Sequence, residues 1–197
     1  MADELLTEVR GRVLLMTMNR PEARNAINGA RADQLQAAIH RLDTDDQLTA
    51  GVLTGNEAGF SAGMDLKAFA AGESMGGFGQ FIEQGSQKPL IAAVDGPALA
   101  GGTELVLACD MVVASKTAVF GIPEVKRNLV AAAGGHRLGQ FPGLLGVDVL
   151  VDEVGQAHDL AHRLAELAVG VGARDRRLGI GQRLQQALLG GLPRRGQ

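Results

Sequence analysis

Cysteine occurs once, at Cys109, and tryptophan and tyrosine are missing, so six phenylalanines are the only aromatic residues. A single thiol excludes an internal disulfide framework and fits a reducing cytosol. No apolar run reaches the roughly 18 to 20 residues that a bilayer-spanning helix needs. An excess of basic charge is also lacking: the formal net charge is −3, whereas nucleic-acid binders usually carry a basic face. The opening Met1-Ala-Asp-Glu-Leu5 does not have the basic-then-apolar order of a signal peptide. These absences together predict a soluble cytoplasmic protein with neither nucleic acid nor membrane as a partner.

Glycine is abundant, with 28 among 197 residues. It gathers in pairs (Gly101-Gly102, Gly134-Gly135, Gly190-Gly191) without a fixed period, so no repeat architecture is indicated. Hydrophobic residues make up 46%, enough for one ordinary domain to bury a core. Glycine is also the residue that lets backbone approach a ligand closely.

Leu5–Arg10 and Val13–Met18 flank Gly11-Arg12 and predict a β-hairpin. A polar loop from Asn19 to Asn28, broken by Pro21, comes next. Ala32, Leu35, Ile39 and Leu42 recur at spacings of three and four, the pattern of an amphipathic helix. Ala50–Thr54 has no polar face and reads as an interior strand. The Gly- and Ser-rich stretch from Ala70 to Gly85 has weak periodicity and predicts a mobile helix or loop. Pro89–Val94, Met111–Ala114 and Ala118–Gly121 are further strands, and Ala100–Cys109 is a glycine turn opening a buried helix. Strands alternating with helices indicate an α/β fold. Beyond Gly135 no strand or chemical motif is evident. Leu160, Leu164 and Leu167 mark one helix there, and Leu184, Leu188 and Leu189 another.

Three segments could carry chemistry: Phe60-Ser-Ala-Gly-Met-Asp-Leu-Lys67, Ala98-Leu-Ala-Gly-Gly-Thr-Glu-Leu105 and Phe120-Gly-Ile-Pro-Glu124. Backbone N–H groups at a glycine turn before a helix favour negative charge, and Glu104 falls in that helix's first turn. A second glycine-assisted turn around Met64 can aim another N–H, and two such donors on one oxygen make an oxyanion hole. Each feature also has an ordinary reading. A Glu in a first helical turn is usually a dipole partner, Pro-Glu after a strand is usually a turn, and Gly-Gly is usually turn geometry. His158 and His162 lack the acidic companion of a His-Glu-x-x-His zinc site. Ser61 is not in a Gly-x-Ser-x-Gly elbow.

In their order along the chain, these segments resemble the enoyl-CoA hydratase/isomerase (crotonase) family. The resemblance begins at Leu15-Met-Thr-Met-Asn-Arg-Pro-Glu-Ala-Arg-Asn-Ala-Ile-Asn28 and passes through Phe60–Lys67 and Pro89–Glu104. It continues through Cys109–Ala114 to Phe120–Val125. It implies a spiral of ββα units, with residues 1–135 as a catalytic core and 136–197 as a shortened, atypical helical tail. It implies that the N–H groups of Met64 and Gly101 hold a thioester oxygen, and that Glu104 and Glu124 flank a catalytic water. It places Arg24, Ala26 and Ala62 at the coenzyme A phosphates and adenine, and Asp65, Leu66 and Lys67 along the pantetheine and thioester path. The implied reaction adds water to a trans-2-enoyl-CoA, with no cofactor because coenzyme A is part of the substrate. A homo-trimer or hexamer is the implied assembly. Alternatives are a double-bond isomerase, which needs one well-placed Glu, and an impaired remnant that only binds CoA thioesters.

The resemblance weakens towards the C-terminus. Only His136–Gly146 stand where the family carries further helices, Val147–Ala168 return to its pattern, and Val169–Gln197 depart from it. The expectation is a deletion or reading-frame change in the gene, one that removes helices covering the acyl pocket and building the trimer.

Overall fold

The structure, a computed structural model, describes residues 3–127 and 149–152. Strands β1 (Leu5–Arg10) and β2 (Val13–Met18) form the expected hairpin, pairing antiparallel from Leu5↔Met18 to Arg10↔Val13. Gly11 turns the corner at φ 58, a conformation that costs glycine nothing. Helix α1 (Gly29–Thr44) follows, and Asn28 caps it by accepting from the Arg31 N–H. Its stripe of Ala32, Leu35, Ala38, Ile39 and Leu42 is buried, which is the face the three-four spacing predicts. Strand β3 (Ala50–Thr54) runs parallel beside β2 and is buried throughout.

Two short helices, α2 (Leu66–Ala70) and α3 (Gly76–Gln84), precede strand β4 (Leu90–Val94). The Gly-rich stretch from Ala70 to Gly85 therefore contains a defined helix. One of its glycines serves close packing: a Cβ on Gly77 would lie 2.6 Å from the carbonyl oxygen of Ala32 on α1. Phe78 and Phe81 on the same face are buried. Weak periodicity here reflects backbone-to-backbone contact, which hydrophobic patterning does not register.

Strand β5 (Pro97–Leu99) and helix α4 (Gly101–Leu107) come next, then β6 (Met111–Ser115) and β7 (Val119–Gly121). Pro97 stands at the first position of β5, where its missing N–H is tolerated. A further strand, β8 (Val149–Asp152), pairs parallel with β6. This corrects the expectation that no strand lies beyond Gly135; Val-Leu-Val is a run too short to announce itself without a neighbour. The main sheet has the order β1-β2-β3-β4-β6-β8, and β5 and β7 make a second, two-stranded parallel sheet. The helices expected around Leu160–Leu167 and Leu184–Leu189, and most of the tail from 136 to 197, lie outside the described residues.

Side chains alternate between the two faces of the main sheet, as strand geometry requires. Leu14, Met16, Leu53, Ala92 and Val112 join one core cluster with α1, α3 and α4 residues. Val13, Leu15, Val52, Ile91, Met111 and Val113 form another on the opposite face. With parallel pairing from β2 onwards and both faces of β3 and β4 buried, the sheet is that of an α/β protein with an antiparallel edge strand. The repeated passage from a main-sheet strand to a small-sheet strand and back puts the loops after β3, β5 and β7 side by side. These are the loops that carry the three candidate segments.

Candidate active site

Phe60 to Asp65 runs as an extended segment between two others. Ser61 bridges in parallel to Ala98 of β5, and Met64 bridges in parallel to Ile27. The Ile27 pairing uses the Gly63 carbonyl at 2.8 Å and the Asp65 N–H at 2.8 Å. Backbone alternation therefore turns the N–H of Met64 the other way, towards the turn at Ala100-Gly101. A Cβ built on Gly101 would stand 3.5 Å from the Met64 nitrogen, and one on Gly63 would stand 3.0 Å from the Gly101 nitrogen. The Met64 and Gly101 amide nitrogens thus lie at one close approach of the two turns. Among the described residues neither N–H is paired with a backbone or side-chain acceptor.

Close approach of the two turns depends on glycine. Gly63 has φ +92, and a Cβ there would lie 2.7 Å from both the Leu99 oxygen and the Ala100 Cβ. Gly102 could not carry one either, because it would meet the Ser61 oxygen at 2.6 Å. Ala100 itself takes φ 52, a left-handed conformation that non-glycine residues adopt at a cost of about 1–3 kcal/mol and that is concentrated at functional sites. It is held by the bond from its N–H to the Gly121 oxygen at 2.8 Å.

Each carboxylate follows by three residues a residue at this crossing, Gly101 or Gly121. Glu104 lies in the first turn of α4, three residues beyond Gly101, and is 4% exposed. Glu124 opens a 3-10 turn (Glu124–Arg127) three residues past Gly121, the residue that pairs with Leu99 across the small sheet. Its Oε2 is buried, with no hydrogen-bond partner among the described residues. A carboxylate oxygen out of contact with both solvent and donors is costly unless something else supplies a proton to it.

The remaining candidates are placed as follows. The Ala62 N–H donates to the Arg24 oxygen at 2.9 Å, and Arg24, in the left-handed region at φ 51, is exposed. Ala26 is buried, and its oxygen accepts from Arg20 Nη1 at 3.4 Å. Asp65 caps α2 by accepting from the N–H groups of Lys67 and Ala68 at 3.0 and 3.2 Å. Its other oxygen takes a 2.7 Å bond from Arg20 Nη1. The Arg20 hydrogen bond, against the opposing effect of burial, holds the Asp65 carboxyl below its ordinary range. Burial works against the Arg20 charge, but Asp65, Glu4 and Glu22 outweigh it and raise that guanidinium's pKa. Asp65 thus has a framework task beyond the one the resemblance implies. Leu66 and Lys67 are exposed on α2. No group of three or more His, Cys, Asp or Glu residues that could hold a metal occurs among the described residues.

Four supporting residues escaped the sequence reading. Ser61 donates to the Asn25 oxygen at 2.8 Å and accepts from the Gly63 N–H, fixing the turn before Met64. Asn25, fully buried at φ 54, donates to Asn56 Oδ1 and the Gly59 oxygen. Asparagine is enriched in the left-handed region, the one signal that could have singled it out. Arg20 and Thr103 gave no local signal, because Asp65 and Gly121, two of the groups they bond, are 45 and 18 residues away.

Known proteins resemble this chain in sequence and in fold. A 2,3-dehydroadipyl-CoA hydratase of Escherichia coli K12 is 42% identical over 138 residues, which cover 67% of this chain and 54% of that protein. An enoyl-CoA hydratase of Mycobacterium tuberculosis is 40% identical over 161 residues, or 75% of this chain and 60% of that one. The chain therefore spans only a little over half the length of the curated relatives it matches. Among solved structures, an enoyl-CoA hydratase of Mycobacterium tuberculosis superposes with a TM-score of 0.73 at 40% identity, covering 94% of this chain and 88% of the other. A carnitinyl-CoA dehydratase of Mycobacterium avium gives a TM-score of 0.76 at 37% identity, covering 98% and 84%. The crotonase-like fold is thereby established. The family profile for enoyl-CoA hydratase/isomerase matches residues 8–181, and the chain belongs to that family.

Proposed function

We propose that this protein is an enoyl-CoA hydratase that adds water to the double bond of a trans-2-enoyl-CoA thioester. The observation that carries the reading is the close approach of the Met64 and Gly101 amide nitrogens, with Glu104 in the first turn of the helix that Gly101 opens and a buried Oε2 on Glu124 that has no partner among the described residues. A thioester oxygen seated between the two N–H groups draws electron density from the conjugated double bond. The β-carbon becomes electrophilic. One carboxylate takes a proton from water as its oxygen bonds to that carbon, and the other gives a proton to the α-carbon. The double bond is consumed, and the product carries a β-hydroxyl group. The step needs no metal or redox cofactor.

Relatives named as CoA hydratases at about 40% identity support the reaction class. Arg24, Ala26 and Ala62 belong to the same reading as contacts for the coenzyme A phosphates and adenine, with Asp65, Leu66 and Lys67 along the pantetheine path. The exposure of Arg24 and Lys67 suits an anionic ligand. The reading extends to a cytoplasmic homo-trimer or hexamer, with residues 1–135 as the catalytic core and 136–197 as the tail.

Mass spectrometry of the product made from crotonyl-CoA tests the reading. Hydration adds the mass of one water and leaves a β-hydroxyacyl thioester. A protein that only moves double bonds would interconvert 2-enoyl and 3-enoyl thioesters of unchanged mass, and a remnant that only binds would return crotonyl-CoA untouched. Either of these results defeats the assignment.

A further inference from the structure

We propose that the hydroxyl group of Thr103 fixes the placement of Glu124 relative to Glu104, which makes Thr103 a positioning residue for hydration. The inference rests on the two-carboxylate reading above. Thr103 is 7% exposed and sits beside Glu104 on α4. Its Oγ1 lies 2.7 Å from the Ala98 oxygen and 2.8 Å from the Gly121 oxygen, and it accepts from the Gly121 N–H at 3.3 Å. A hydroxyl has one hydrogen and two acceptor positions. It therefore donates to one carbonyl at a time, and its single proton is shared between β5 and β7.

These two strands lead to the two halves of the site. From Ala98 the chain runs through Leu99 and the strained Ala100 to Gly101 and Glu104. From Gly121 it runs through Ile122 and Pro123 to Glu124. Pro123 fixes its own φ and restricts Ile122 before it, so a displacement of Gly121 passes to Glu124 with little slack. The Gly121 oxygen also accepts the Ala100 N–H at 2.8 Å. The Gly121 peptide is thus clamped from one side by the residue before Gly101 and by the residue before Glu104. A hydroxyl that merely satisfied its own helix would bond within α4; among the described residues this one bonds only to the two strands.

Thr103→Val keeps the shape and removes the hydroxyl, whereas Thr103→Ser keeps the hydroxyl and removes a methyl. Steady-state hydration of crotonyl-CoA by the full chain is measured for both, alone and in a Glu124→Gln background, with thermal unfolding alongside. Thr103→Val is expected to lower kcat about tenfold with KM within about twofold, the signature of lost transition-state positioning. Thr103→Ser is expected to restore most of the rate. When Glu124 is already Gln, adding Thr103→Val should change the rate less than about twofold, because residues acting through one another are not additive. Equal losses in both backgrounds, or no loss in either, would overturn the proposal. If Glu124→Gln alone leaves the rate unchanged, the hydratase reading fails first and the positioning role falls with it. Thr103→Ala serves in the same cycle should Thr103→Val not fold.

Discussion

An atom at the Cβ position of Gly101 would stand 3.5 Å from the amide nitrogen of Met64 and 3.2 Å from Cζ of Phe78. That point lies at the close approach of two turns distant in sequence. Gly101 has no positive φ, so alanine is compatible with its backbone and with the first turn of α4. Gly101→Ala should therefore fold and still lose at least about a hundredfold in turnover, comparable with loss of an oxyanion-hole donor. Circular dichroism and crotonyl-CoA kinetics on one preparation check both halves of that statement. Gly63→Ala is the contrasting case. With φ +92 and a 2.7 Å clash against the Leu99 oxygen, it should lose stability as well as rate.

The bond between Arg20 and Asp65 predicts a pH dependence. The Asp65 carboxyl is depressed in the folded state, chiefly by the Arg20 hydrogen bond. Its contribution to stability is thus fully present above the ordinary aspartate value of about 3.9 and is lost as pH falls through the lower folded value. Arg20→Met should be less stable than the parent near neutral pH, and the gap should narrow on acidification. Urea unfolding at a series of pH values measures it. A gap that stays constant into the acid range would show that Arg20 acts through something other than the Asp65 charge.

Arg31 offers a prediction of the opposite sign. It is 1% exposed, and its three guanidinium nitrogens have no hydrogen-bond partner among the described residues. Burial lowers its pKa to about 10, so it still carries its charge at neutral pH. A buried charge without a bonded partner destabilises the fold, and an apolar side chain of similar length does not. Arg31→Met should raise the unfolding free energy by about 1–3 kcal/mol. A loss of stability in urea denaturation would mean the guanidinium is paired.

How much of this was legible beforehand depended on element length and on where the bonding partner lies. The bounds of β1, β2 and β3 and the buried stripe of α1 followed from patterning: the two hairpin arms flank Gly11-Arg12, β3 is apolar between polar flanks, and α1 is long enough to show its period. Strand β5 has three residues, α2 has five and β8 has four, and such pieces exist through what they pair with. Helix α3 was obscured by Gly76, Gly77 and Gly79, of which Gly77 is required by the approach to α1. Within the candidate site, Glu104, Met64 and Gly101 stood out through their glycine turns. Thr103 and Arg20 did not, because the chemistry of one threonine or one arginine says nothing until the fold brings Gly121 and Asp65 to them.

The account turns on two carboxylates acting on one water, and the most direct measurement is the crotonyl-CoA hydration rate of the full chain against Glu104→Gln and Glu124→Gln. Each substitution keeps side-chain shape and removes the ability to exchange a proton. The account predicts that each lowers kcat at least tenfold, about 1.4 kcal/mol of barrier, and that the double variant is little worse than either alone, as expected for groups acting as a unit. Rates equal to the parent's in either single variant would contradict it.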